Sequence, residues 1–135
     1  TIDEMKLGAY VEKVGYLPHA DAIAFQQTSP VLLLLINNTP NANGILTGKF
    51  YEYMASERPI LVIGPKNSDV ENLVNETQCG VLVDFDDVEG MKQAVLDLFE
   101  IYKKGELKPK STNYQQYSRK AQCGILAELL NKMKV

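Results

Sequence analysis

Blocks of apolar residues alternate with helix-periodic stretches along most of the chain. Residues 11–17 read as a strand that stops at Pro18, and residues 19–27 as a helix with Ala20, Ile23 and Ala24 on one stripe. Residues 31–37 read as a strand between Pro30 and Asn38, with an unbroken apolar run over 31–36. Such a run suits a strand buried on both faces of a parallel sheet. The polar stretch 38–43 reads as a loop. Residues 48–56 read as a helix, 59–64 as a second buried strand, 69–77 as a helix with Asp69 near its start, as a cap rather than a site residue, and 80–85 as a third strand. Asp86 and Asp87 then open a longer helix that carries Val88, Met91, Val95, Leu98, Phe99 and Tyr102 at helical spacing and ends near Gly105. A polar connector with Pro109 leads to a last helix over 113–134, with Ile125, Leu126, Leu129, Leu130 and Met133 on one side.

Strand–helix alternation of this kind predicts an α/β domain, a Rossmann-like three-layer arrangement with a parallel sheet and helices on both faces. Residues 1–112 are expected to form that domain, and residues 113–135 its C-terminal helix. Ligands of such sheets bind beyond the carboxyl ends of the strands. The loops 16–19, 37–49 and 63–69 fall on that edge.

Bulk properties narrow the class. The 135 residues fit one domain, with 45% hydrophobic and 23% charged residues. The formal net charge of −3 comes without a basic stripe, so no nucleic acid is expected as a partner. The longest uninterrupted apolar run, 31–36, is far short of the roughly 20 residues that span a bilayer. The start shows no signal-peptide pattern, and its Thr1 in place of Met is expected of a piece of a longer protein. Cys79, Cys123 and the single His19 complete no metal set. Reduced, partly buried thiols in a cytosolic protein are expected, with a Cys79–Cys123 pair left open.

The densest candidate chemistry lies in T-G-K-F-Y-E-Y-M-A-S-E-R-P, residues 47–59. Gly48 opens a helix whose free N–H groups and positive dipole end suit a phosphate, and its missing Cβ permits close approach. Lys49 adds a cation. Glu52, four residues after Gly48, lies on the same helix side and can accept from both hydroxyls of a ribose. The plain alternative makes Lys49 and Glu52 solvated surface charges. A nucleotide-binding P-loop is excluded, because Gly44 lies one residue too close to Gly48 and Phe50 occupies the hydroxyl position that binds magnesium. The runs P-V-L-L-L-L-I-N-N-T-P-N-A-N-G and P-I-L-V-I-G-P-K-N-S-D are similar to a response-regulator receiver domain. No aspartate ends the first of these runs and Asp84 stands where a lysine is needed. That resemblance therefore implies a non-catalytic regulatory module lacking its phospho-acceptor.

A second resemblance is closer. G-Y-L-P-H-A-D-A-I-A-F, P-V-L-L-L-L-I-N-N, G-I-L-T-G-K-F-Y-E-Y-M-A-S-E-R-P-I-L-V-I-G-P and C-G-V-L-V-D-F-D-D, in this order, resemble the C-terminal domain of GT-B glycosyltransferases, nearest the retaining group-1 family of bacterial polysaccharide synthesis. It covers about residues 11–130. It implies that Glu52 binds the ribose of a nucleoside diphosphate sugar and that Gly44, Ile45, Leu46, Thr47, Gly48 and Lys49 face the diphosphate and donor sugar. Tyr16, Leu17 and His19 are implied to lie near the base, although Tyr16 can equally end a strand and His19 cap a helix. The family often has a glutamate where Gly44 stands and, in its Gly-Lys members, a proline where Thr47 stands. The resemblance implies a cytoplasmic transferase without cofactor or metal. It also implies that the first strand and helix of the domain, with their phosphate-neutralising lysine and arginine, and an N-terminal acceptor domain precede Thr1. The last helix would help to join the two domains. The 135 residues alone would bind donors weakly and catalyse nothing, and any membrane contact would come from the missing part.

Overall fold

The computed structural model describes residues 2–108 and 113–133. It is α/β: a three-stranded parallel sheet flanked by helices, the arrangement of a Rossmann-like fold. The elements are α1 (His19–Thr28), β1 (Leu32–Leu35), α2 (Gly48–Ala55), β2 (Ile60–Ile63), α3 (Asp69–Thr77), β3 (Gly80–Val83), α4 (Val88–Lys103) and α5 (Arg119–Lys132), with short 3-10 turns at Ala42–Gly44 and Tyr114–Tyr117. The strands lie in the order β1-β2-β3, with Leu32, Ile60 and Gly80 in register.

The register sets which side chains share a face. Leu32, Leu34, Ile60, Val62 and Leu82 point to one side, because paired residues of parallel strands project together. That side carries the core. Phe50 and Met54 of α2 and Val70, Leu73 and Val74 of α3 bury against it, with Phe50, Ile60, Val62 and Val70 wholly enclosed. Burying one such side chain favours folding by roughly 1.5–3 kcal/mol. Polar groups within the core are satisfied. The Thr77 hydroxyl donates to the Leu73 carbonyl at 2.6 Å, and the Ser68 hydroxyl donates to the Pro65 carbonyl at 2.5 Å. Gly80 is required where it stands: an added Cβ would lie 1.9 Å from the Ile60 carbonyl oxygen of the neighbouring strand.

The opposite face differs from the expectation. Leu61 and Val83 are buried there, and Leu98 and Ile101 of α4 border a cavity with Val81. Leu33 and Leu35 remain 54% and 63% exposed. The apolar run at β1 is therefore buried on one face only, since β1 is an edge strand and α4 packs on β3 at the other edge. No strand forms over residues 11–17. Gly15 takes a left-handed conformation with φ +75°, which breaks an extended run, and no sheet edge pairs with it. α1 buries none of its side chains.

The later elements match the pattern at their ends more than on their faces. Ser68 caps α3 by accepting from the Glu71 N–H, and Asp87 caps α4 by accepting from the Gly90 N–H at 2.9 Å. Gly105, with φ +72°, closes α4 and donates to the Tyr102 carbonyl. The apolar stripe of α4 is largely open, with Val88, Val95, Phe99 and Tyr102 all more than half exposed. The last helix is split into the 3-10 turn and α5 by Ser118, which caps α5. Ile125, Leu126, Leu129, Leu130 and Met133 are exposed on it. The expected connector around Pro109 and the end of the last helix at Lys134 fall outside the described residues.

Candidate functional site

The carboxyl ends of β1, β2 and β3 deliver three loops to one edge, and α2 starts there. Thr47 ends the β1–α2 loop in extended conformation, and its Oγ1 accepts the Phe50 N–H at 3.3 Å. That cap fixes the first turn and leaves the N–H groups of Gly48 and Lys49 without an intrahelical acceptor. Phe50 and Met54 anchor the inner side of α2 in the core, which turns Gly48 and Glu52 outward. A Cβ at Gly48 would meet nothing within 4 Å. Packing does not demand glycine at that position, and the approach to the helix start is open.

Glu52 and Gly48 line one groove of about 840 Å³, together with Tyr51. Lys49 leans along the helix instead, its Nζ 3.8 Å from Glu52 Oε2 and 5.9 Å from the centre of the Tyr53 ring. Both charges of the pair are near half exposed, so the contact is weak and the carboxylate stays available. The remaining loop residues divide the work of holding the edge. Ile45 packs against the core, Leu46 is partly exposed, and Gly44 ends the 3-10 turn that buried Ala42 ties down.

Two acids near this edge have structural duties and one does not. Asp84 Oδ2 accepts the Lys66 N–H at 3.0 Å, and Asp87 caps α4. Asp69 reads from sequence as a cap, yet Ser68 is the cap and Asp69 is the first helical residue. Its Oδ2 lies 4.0 Å from where a Cβ on Gly44 would be. The edge therefore holds a carboxylate beside Gly44.

Tyr16, Leu17 and His19 are not among the residues that line this groove. Tyr16 is 96% exposed, Leu17 is half-buried, and His19 starts the unpacked α1. The opposite wall of the groove comes from Tyr114, Tyr117 and Arg119, in a segment where sequence shows only a helix start. Among the described residues no cluster of three His, Cys, Asp or Glu could hold a metal ion. No helix among them is long and apolar enough to cross a membrane. Cys79 is buried and Cys123 exposed, both free; burial pushes the Cys79 thiol up. No family model matches the chain, and no curated protein or solved structure matches it.

Proposed function

We propose that the start of α2 binds the nucleoside diphosphate of a nucleotide sugar, and that the chain is the donor-binding domain of a retaining GT-B glycosyltransferase. One observation carries this reading. The Thr47-capped, sterically open helix start lies at the carboxyl edge of the parallel sheet with Glu52 in the same groove. A nucleoside diphosphate needs anion binding and a diol acceptor about one helical turn apart, and Gly48 and Glu52 supply that pair. In the whole enzyme the sugar passes from the nucleoside diphosphate to an acceptor with its anomeric configuration kept. The chain's share is to meet the charge that develops on the leaving diphosphate with the Gly48 and Lys49 N–H groups. A cytoplasmic setting, a role in polysaccharide or glycoconjugate synthesis and an acceptor domain elsewhere in the enzyme belong to the same proposal.

Titration of the chain with UDP and with GDP, followed by amide NMR, tests it. Shifts at Gly48, Lys49 and Glu52 are expected, with Glu52→Ala weakening binding by about tenfold, the value of a lost charge-assisted hydrogen bond. No response at millimolar nucleotide, or shifts confined to other parts of the chain, would return the domain to the receiver-like regulatory reading.

A further inference from the structure

The far wall of the groove is held in place by contacts with a visible purpose at one end and none at the other. The Tyr114 hydroxyl donates to the Glu57 carboxylate, just beyond the end of α2. Gln116 Nε2 donates to Glu76 Oε1 of α3 at 2.8 Å, and the Tyr117 ring stands 6.5 Å from that of Tyr51. From the other side, Gln122 Nε2 donates to the Gln116 carbonyl at 2.8 Å, and Ser118 Oγ accepts the Ala121 N–H. These bonds fix the backbone on both sides of Arg119. The arginine itself lines the groove opposite Glu52 and has no carboxylate partner among the described residues. A guanidinium with a fixed backbone, no internal partner and an open groove before it is arranged for an external anion.

We infer that Arg119 is the phosphate-binding residue of the far wall, so that a nucleoside diphosphate lies between α2 and the Tyr114–Arg119 segment with its diol on Glu52 and its diphosphate between the α2 start at Gly48 and Arg119. This rests on the proposed donor reading and adds a residue from outside the α2 motif. The polarity of the groove fits the ligand: one wall carries a carboxylate acceptor and the other an all-donor cation, as a diol and a diphosphate require. Tyr51 and Tyr117 also line the groove, their ring centres 6.5 Å apart, one from each wall.

Calorimetric titrations of the full chain with UDP, uridine and inorganic pyrophosphate separate the parts. Arg119→Ala is expected to weaken UDP and pyrophosphate by about tenfold or more and to leave uridine unchanged. Arg119→Lys should restore part of the loss, since a lysine keeps the charge without the bidentate fork. Arg119 is exposed, so the variant should keep the wild-type amide spectrum away from the groove. UDP affinity unchanged in Arg119→Ala but lowered in Glu52→Ala overturns this assignment and leaves the donor reading standing. Equal losses for UDP and uridine show a general distortion of the groove and also overturn it. A wild-type chain that binds none of the three probes removes both.

Discussion

Residues 2–31 contain no buried side chain, whereas every buried core residue falls between Leu32 and Val83. The two regions already differ in pattern, since α1 spreads its apolar residues around the helix whereas α2 and α3 gather theirs on one side. Pairing separates them further. β1, β2 and β3 each find a parallel neighbour, and the loops between them are long enough to carry α2 and α3 back across the same face. The 11–17 segment has no edge to join, and without it α1 has no sheet surface to cover. The lesson is that an amphipathic pattern states what an element can bury, and only a partner decides whether it does.

The sharpest way to break that comparison is to remove the same side chain from each region. Phe50 is fully enclosed between α2 and the sheet, and Phe25 on α1 is 52% exposed. Phe50→Ala is expected to cost about 3–5 kcal/mol, and Phe25→Ala less than about 0.5 kcal/mol. Urea unfolding midpoints of the two variants check this. Equal costs would mean that α1 is docked in solution and that the two regions form one core.

A smaller contrast uses glycines. Gly80→Ala drives a Cβ to 1.9 Å from the Ile60 carbonyl oxygen and 2.7 Å from its carbon, both backbone atoms of a central strand. The strands must separate or β3 must shift, at about 1–3 kcal/mol. Gly124 lies inside α5 with nothing within 4 Å of its added Cβ. There the same substitution should stabilise the helix by about 0.5–1 kcal/mol, because alanine has less chain entropy to lose. Opposite signs of the two changes in thermal midpoint would set the packed body apart from its flank.

Much of the body was legible in the chain. The residues of β1, β2 and β3, the start of α2 at Gly48, α3 over 69–77 and the left-handed end of α4 at Gly105 follow from runs of apolar residues and from caps, which are local signals. The half-empty environment of β1 was not legible. An unbroken Leu run reads the same whether one or both faces are covered, and the exposure of Leu33 and Leu35 depends on what lies beside the strand. The candidate site divides in the same way. Gly48 and Glu52 share one helix, so their spacing places them. Arg119 reaches the groove through bonds to Glu57 and Glu76, about 60 and 40 residues distant along the chain, for which no periodicity exists. Asp69 and Ser68 stand side by side and both residue types cap helices, and the Glu71 N–H, which the Ser68 hydroxyl accepts, decides between them.

The smallest expected effect concerns the bond that ties flank to body at the groove. Tyr114 donates to Glu57, and that hydrogen bond raises its phenol above the usual value, since the protonated form is the donor. Glu76 does the same to Tyr117. A group whose pKa is raised by folding stabilises the fold while it is protonated in both states. That contribution is complete below the unfolded phenol value of about 10 and fades as pH rises through the folded value. The stability difference between wild type and Tyr114→Phe should therefore be constant around neutral pH and shrink above about pH 10. The Tyr114–Glu57 bond lies at the surface, so the difference will be a small part of the Gly80→Ala effect. Urea midpoints of the two proteins across that range provide the measurement. A difference that does not change with pH would mean that the Tyr114 hydroxyl is not held by Glu57 in solution. The wall carrying Arg119 would then rest on the bonds of Gln116 and Tyr117 to Glu76 and on the packing of Tyr114 and Tyr117 against the core.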